Sequence, residues 1–412
     1  MDPPRPGARG LRPATILAVP RSRTDPRIEQ ARRAVALVFA LNGLTFASWI
    51  SRAPAIRDAL GLSSGGLGAL LMCAAVGSLI ALPLSGAVVE RIGPGRAVRG
   101  AAALTAVGLT VAAAGIGAAA FVLTGTGLLL AGAASSTWDV AMNVEGADVE
   151  RRLGRPLLPR FHAAFSLGTV LGAALGAACA AAGVGVGAQL AATAVVAVTG
   201  AWMGVRRFVE VSGTQAPDAP RASVLAAWRE RRTLLLGLMV VCFALGEGIA
   251  NDWLAVTVVD GYGGSDALGA LAFGTFVAAM TLGRLVGGSF LERHGRPAVL
   301  RCLAGLVVAG VLLVVIGPGV GAAFAGAVLW GLGASLGFPV GISAAADEER
   351  MATVRVSVVS SIGYTAFLAG PPLIGLLADM VGIRGALLVT VGAMAVALTV
   401  LGAARPTAVA AA

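Results

Sequence analysis

One short pattern occurs twice in this chain, as Gly86-Ala-Val-Val-Glu90-Arg91-Ile-Gly93-Pro-Gly-Arg96 and as Gly288-Ser-Phe-Leu-Glu292-Arg293-His-Gly295-Arg296, with the glutamates and glycines displaced by one common interval. Each copy closes a long apolar run with an acid, a base, a turn glycine and a second base. These are the makings of a short charged elbow between two hydrophobic helices. One elbow says little; two in register make the chain a duplication, two related halves that have to reach related shapes.

Composition decides what the halves are made of. Hydrophobic residues are 57% and charged residues 13% of the sequence, and the mean hydropathy is +0.86, which excludes an ordinary soluble domain. At about 20 apolar residues per span, roughly twelve membrane helices fit, with no room for a sizeable soluble domain. The apolar runs predict spans over 33–52, 65–88, 98–119, 121–145, 161–182 and 186–205, then 234–258, 267–290, 299–317, 320–345, 356–379 and 385–404. The expected organisation is a disordered cytoplasmic tail (1–32), an N-terminal six-helix bundle (33–205), a cytoplasmic linker (206–232), a C-terminal six-helix bundle (233–404) and a cytoplasmic tail (405–412). The linker is the longest polar connection, with a short amphipathic helix expected around Trp228.

Orientation follows from the 31 basic residues, all of them arginine. On the predicted spans, every one falls on the side of the two termini except Arg52, Arg57 and Arg384, on the other side, and Arg284, within a span. Positive residues stay cytoplasmic, so both termini and both elbows are expected inside a bacterial-type inner (plasma) membrane. The net charge of +10 is then a topology signal with contact to anionic lipid as a by-product, and no nucleic-acid partner is expected. The Pro- and Arg-rich amino terminus lacks the immediate apolar core and cleavage site of a secretory peptide, so the first span is expected to be retained.

An ionisable side chain within a span is expensive unless it faces a cavity or a partner. Asp139, Glu247, Asp252 and Arg284 meet that description. Asn143 follows Asp139 by one helical turn and Asn251 follows Glu247 likewise, so each half carries a polar stripe. Arg284 is either the counter-ion of Glu247 or Asp252 or an anchor for a solute; buried charges are usually paired. If it pairs with Glu247, proton carriage falls to Asp139 first and Glu247 second. Cys73, Cys179, Cys242 and Cys302 sit in separate apolar runs and read as small hydrophobes, and His162 and His294 are too few for a zinc site, so no metal and no cofactor is expected.

The two elbows resemble the signature of the major facilitator superfamily, Gly-x-Leu-Ala-Asp-Arg-x-Gly-Arg between helices 2 and 3, with Glu90 in place of Asp and Pro-Gly inserted before Arg96. Phe46-Ala-Ser-Trp-Ile-Ser-Arg-Ala-Pro-Ala-Ile-Arg57, Asp139-Val-Ala-Met-Asn143 and Gly246-Glu-Gly-Ile-Ala-Asn-Asp-Trp253 are similar to its fucose-permease-like bacterial branch. The resemblance covers nearly the whole chain. It implies an all-α membrane fold of twelve helices in two pseudo-symmetric six-helix bundles that rock about a mid-membrane site, with a proton or the solute biasing the balance between states.

In that fold spans 1, 4, 7 and 10 line the central cavity, which places Trp49, Trp138, Trp253 and Trp330 there; the competing reading puts Trp49 and Trp253 in an interfacial belt. With Asn42, Asn143 and Asn251 they form the expected substrate-binding set. Glu90, Arg91, Arg96, Glu292, Arg293 and Arg296 are the expected cytoplasmic gate, against the plainer reading of solvated topology determinants. Span 5 carries Gly168-x-x-x-Gly172-x-x-x-Gly176, a close-packing stripe similar to the antiporter signature of drug exporters, except that Ala173 stands for its proline and Ala177 for its last glycine. Gly370-Pro371-Pro372 marks a hinge or a passive kink in span 11, and Arg160 and His162 entering span 5 echo Arg355 and Ser357 entering span 11.

The expected function is proton-coupled symport of a sugar or similar small polar solute by a monomer; the alternative is proton-coupled efflux of a drug-like or hydrophobic metabolite. No Walker loop, metal cluster or nucleophile triad is legible, and Gly183-Val-Gly-Val-Gly187 is a loop rather than a phosphate cradle, so no enzyme activity is expected.

Overall fold

The computed structural model describes residues 25–154, 157–209, 226–348 and 351–406. Among them, 12 helices are long and apolar enough to cross a membrane. Spans 1 to 6 run Pro26–Ile50, Ser64–Ile92, Pro94–Gly117, Phe121–Leu153, Leu158–Ala181 and Val186–Val205; spans 7 to 12 run Arg231–Tyr262, Asp266–His294, Arg296–Ile316, Val320–Ala345, Val354–Val381 and Ile383–Ala404. Span 10 breaks at Ser335, and a short helix, Ala53–Ala59, lies between spans 1 and 2. An even number of crossings returns the chain to the side it started from, called here the terminal side; the opposite side is the far side.

The twelve predicted spans are all present, and the differences sit at their ends. Helix begins at Pro26, so residues 26–32 extend span 1 where a disordered tail was expected. The cause is local: the Asp25 carboxylate accepts the Arg27 backbone N–H at 2.9 Å, proline occupies the first turn, and Glu29 pairs with Arg32 within it. Span 4 continues past 145 to Leu153, because its polar last turns pair Asp148 with Arg151 and Arg152. Residues 1–24, most of the linker and the last tail residues lie outside the described residues; of the segment around Trp228, residues 210–225 lie outside them too, Ala226 and Ala227 are helical, and Trp228 is exposed in a turn.

Both elbows are tight turns. Gly93 at φ +81° and Gly295 at φ +74° each close one span and open the next, a left-handed backbone that a side chain would strain. Within the bundles small residues let helix backbones touch. A Cβ at Gly168 would lie 1.9 Å from the Ala40 carbonyl oxygen, and one at Gly172 2.7 Å from that of Leu44, so the glycine stripe of span 5 is the seat of span 1. Gly132 meets Ala74 of span 2 in the same manner, and Gly310 meets Gly326 and Trp330 across spans 9 and 10.

Where the halves meet, span 2 crosses span 11 and span 5 crosses span 8. At the first crossing a Cβ on Gly68 would lie 2.5 Å from the Pro371 carbonyl oxygen, and one on Gly375 2.5 Å from that of Ser64. At the second, Gly274 faces the Ala173 methyl. These contacts lie in the far-side portions of the four spans.

Candidate functional site

Between the halves lies a cavity of about 410 Å³, walled by spans 1 to 5, 7 and 11. Asn42, Thr45, Phe46 and Trp49 face it from span 1, Ser135, Ser136 and Asp139 from span 4, Glu247, Asn251 and Asp252 from span 7, and Tyr364 and Phe367 from span 11. Polar groups from spans 1, 4 and 7 thus sit in a largely apolar lining of aromatic and aliphatic side chains, which suits a small polar solute with an apolar face. Phe46 meets Trp49 edge-on at 6.2 Å, and the Ser135 hydroxyl donates to Asn42 Oδ1 at 3.2 Å while Asn42 Nδ2 reaches the Met142 sulfur at 3.9 Å.

The three acids differ in what holds them. Arg284 Nη2 donates to Glu247 Oε1 at 3.2 Å, and its Nε to the Ser335 carbonyl at 3.1 Å, so Arg284 is a structural counter-ion of Glu247 and stays off the cavity wall. The Ser335 carbonyl is available because span 10 breaks there. Asp139 has a neutral partner: Asn143 Nδ2 bridges its backbone carbonyl at 2.9 Å and its Oδ1 at 3.3 Å. No hydrogen bond or ion pair among the described residues reaches Asp252.

Several expected binding residues sit elsewhere. Trp138, Trp253 and Trp330 are fully buried inside the bundles and do not line the cavity. Trp330 packs edge-on against Phe276 and donates its indole N–H to the Gly246 carbonyl at 3.1 Å. In helices rich in glycine and alanine, the large indoles fill the gaps between neighbouring spans, and packing claims them ahead of any solute. Asn143 serves Asp139 instead of the cavity, and span 10 contributes nothing to the wall. Of the expected tryptophans, Trp49 faces the cavity. Phe165, Tyr364 and Phe367 supply further rings, on spans 5 and 11, where no tryptophan marks the helix.

The two ends of the cavity differ. On the far side Arg57, in the short helix after span 1, holds Asp260 at the end of span 7 with two hydrogen bonds, one of them 2.8 Å, and Asp58 beside it at 2.6 Å. The bonds to Asp260 outweigh burial and hold the Arg57 guanidinium above its ordinary pKa. Asp379, near the end of span 11, accepts from Ser63 Oγ at 3.0 Å and the Gly65 N–H at 2.9 Å at the start of span 2. Among the described residues, every hydrogen bond between halves is one of these.

On the terminal side each half keeps its charges to itself. Asp347 binds Arg232 at 2.9 Å and Arg296 at 2.7 Å; Arg355 binds Glu230 at 2.7 Å and Glu348 at 2.8 Å. Burial pushes the Glu230 carboxyl up, but donation by Arg355 and Thr233 outweighs it and holds it below the ordinary range. In the N-terminal half, buried Glu145 accepts the Val209 N–H at 2.8 Å. Glu90, Arg91, Arg96, Glu292 and Arg293 are exposed and, like Arg296, have no partner in the opposite half among the described residues.

A multi-pass membrane protein with a polar cavity between two six-helix halves is built as a solute carrier. The model of the Major Facilitator Superfamily matches residues 236–411. An uncharacterized transporter of Sinorhizobium fredii is 33% identical over 85% of this chain and 92% of its own. An uncharacterized MFS-type transporter of Yersinia pestis is 30% identical over 88% of this chain and 94% of its own. Among solved structures, a mutant of the nucleoside transporter NupG superposes with a TM-score of 0.78 at 13% identity, covering 91% of this chain and 99% of that one. A variant of the Escherichia coli fucose:proton symporter FucP does so at 0.63 and 15% identity, over 91% and 98%. The chain belongs to the major facilitator superfamily, and it is a transporter.

Proposed function

We propose that the protein carries a small polar solute together with a proton by alternating access, with Asp139 as the proton carrier and the termini in the cytoplasm. The observation that carries this reading is Asp139 itself: an acid at mid-span on the cavity wall whose hydrogen-bond partner is an uncharged amide. Such a group can bind a proton from one side and release it to the other without breaking an ion pair. Glu247, held by Arg284, is the poorer carrier. Arginines on the terminal side place that side inside, so the far-side contacts between halves close the outer end in the form described. FucP, whose fold this chain shares, is a fucose:proton symporter, which agrees in kind with import of a polar solute. Export of hydrophobic compounds has the largely apolar cavity lining in its favour, but the glycine stripe of span 5 that suggested it is taken up by packing against span 1. The elbows form the cytoplasmic gate, meeting the opposite half when the cavity opens outward.

The test is reconstitution in liposomes that enclose a pH-sensitive dye, with a panel of sugars and nucleosides added outside. One solute is expected to drive proton entry, and Asp139→Asn to abolish it while still exchanging the solute between the two faces. Solute flux with no proton movement, or an unimpaired Asp139→Asn, sinks the proton role.

A further inference from the structure

The cavity wall carries three carboxylates and, among the described residues, no cationic side chain. One is neutralised, because Glu247 is held by Arg284. Asp139 and Asp252 are not, and they come from opposite halves of the molecule. If one of them carries a proton, the other still faces the cavity without a counter-ion among the described residues, and an uncompensated charge at mid-span is costly. The described wall holds no compensating charge, and a cationic solute supplies one.

A further observation points the same way. Phe46, Trp49, Tyr364 and Phe367 line the same cavity as the acids, and an aromatic ring attracts a cation through its face.

We infer that the solute is a compact cation, an amine-bearing polar molecule whose ammonium group binds Asp252 while Asp139 carries the proton. This rests on the cavity being the transport path proposed above, and it narrows the solute class from polar to positively charged.

The experiment reads the charge preference of the cavity without knowing the solute. Ala75, on the cavity wall in span 2, is replaced by cysteine in a protein whose four native cysteines are changed to alanine. Its labelling rate is then measured with a trimethylammonium-ethyl and a sulfonato-ethyl methanethiosulfonate of equal reach. A wall of one charge sign raises the local concentration of the opposite ion by about 10-fold or more. The cation-to-anion ratio, relative to the same pair reacting with free mercaptoethanol, is therefore expected to exceed about tenfold and to fall several-fold in Asp252→Asn. Ser136→Cys, also on the wall, repeats the measurement from span 4 should the first reporter fold poorly. A ratio near that of the free thiol at both reporters, or one unchanged by Asp252→Asn, overturns the inference. The labelling needs no turnover, so such a result beside intact proton-coupled flux removes the cation and leaves the transport reading, whereas a high ratio together with that flux supports both.

Discussion

Compare the two ends of the cavity. On the far side, polar groups of one half reach into the other: Arg57 to Asp260, and Ser63 and Gly65 to Asp379. On the terminal side the charges are more numerous, yet Asp347, Glu230, Glu348 and Asp148 find their arginines within their own half. The difference separates two kinds of ion pair that a sequence cannot tell apart. Pairs within a half move with it and set its rigidity; pairs between halves have to break when the cavity opens on their side. Closure of the far end is accordingly a two-state contact, and its components can be removed one at a time.

The largest effect is expected from the backbone crossing of spans 2 and 11. A Cβ on Gly68 would stand 2.5 Å from the Pro371 carbonyl oxygen and 3.1 Å from the Pro372 Cα, and neither is a flexible side-chain end. Overpacking of this kind costs about 3 kcal/mol at the upper end of its range, so Gly68→Val should reduce the far-closed population about a hundredfold. Spin labels at Ala59→Cys and Val381→Cys, across the far mouth, should report a longer distance, and uptake per molecule should collapse. Gly68→Ala adds the same Cβ with no further atoms and should give a smaller step in the same direction. An unchanged distance in both variants would show that the crossing is no part of closure.

The ion pair should matter less. Arg57 and Asp260 are half-shielded, with side chains 12% and 28% exposed, and Arg57 keeps Asp58 as a second partner. A pair in that setting is worth about 1 kcal/mol, so Arg57→Ala or Asp260→Ala should shift the balance toward the far-open form about fivefold. The reversed pair, Arg57→Asp with Asp260→Arg, should recover part of the wild-type distance distribution. Equal populations in the singles and the reversed double would assign closure to the backbone crossing alone.

Much of this architecture is legible before any coordinates. The duplicated elbow, the twelve apolar runs and the asymmetry of the arginines carry the fold, because in lipid every span has to be a helix and its length is set by the bilayer. The polar half of the site is legible for the same reason: an Asp at position 139 or 252 is too costly to face lipid. Side-chain direction is not legible. Trp138, Trp253 and Trp330 lie on the right helices and point into the bundles, since glycine- and alanine-rich neighbours leave indole-sized gaps and hydropathy is blind to which face a residue occupies. The far-side pairs are invisible for another reason. Arg57 and Asp260 stand on different halves, and no periodicity links them; the available hint is a sparse set of opposite charges at helix ends on one side, which by itself signals topology.

The smallest expected effect bears most directly on the terminal end. Glu90 is exposed and makes no contact with the other half in the form described, so Glu90→Gln should leave the far-mouth distance and the melting temperature unchanged. If the elbow is a gate, its contacts exist in the outward-open form alone. Losing an exposed pair there costs about 0.5 kcal/mol, which alters turnover per molecule by two- to threefold at about constant abundance. If Glu90 is only a topology determinant, abundance in the membrane falls and turnover per molecule does not move. The two outcomes separate because the first acts on an equilibrium between folded states and the second on insertion, so immunoblot and uptake on the same membranes decide between them.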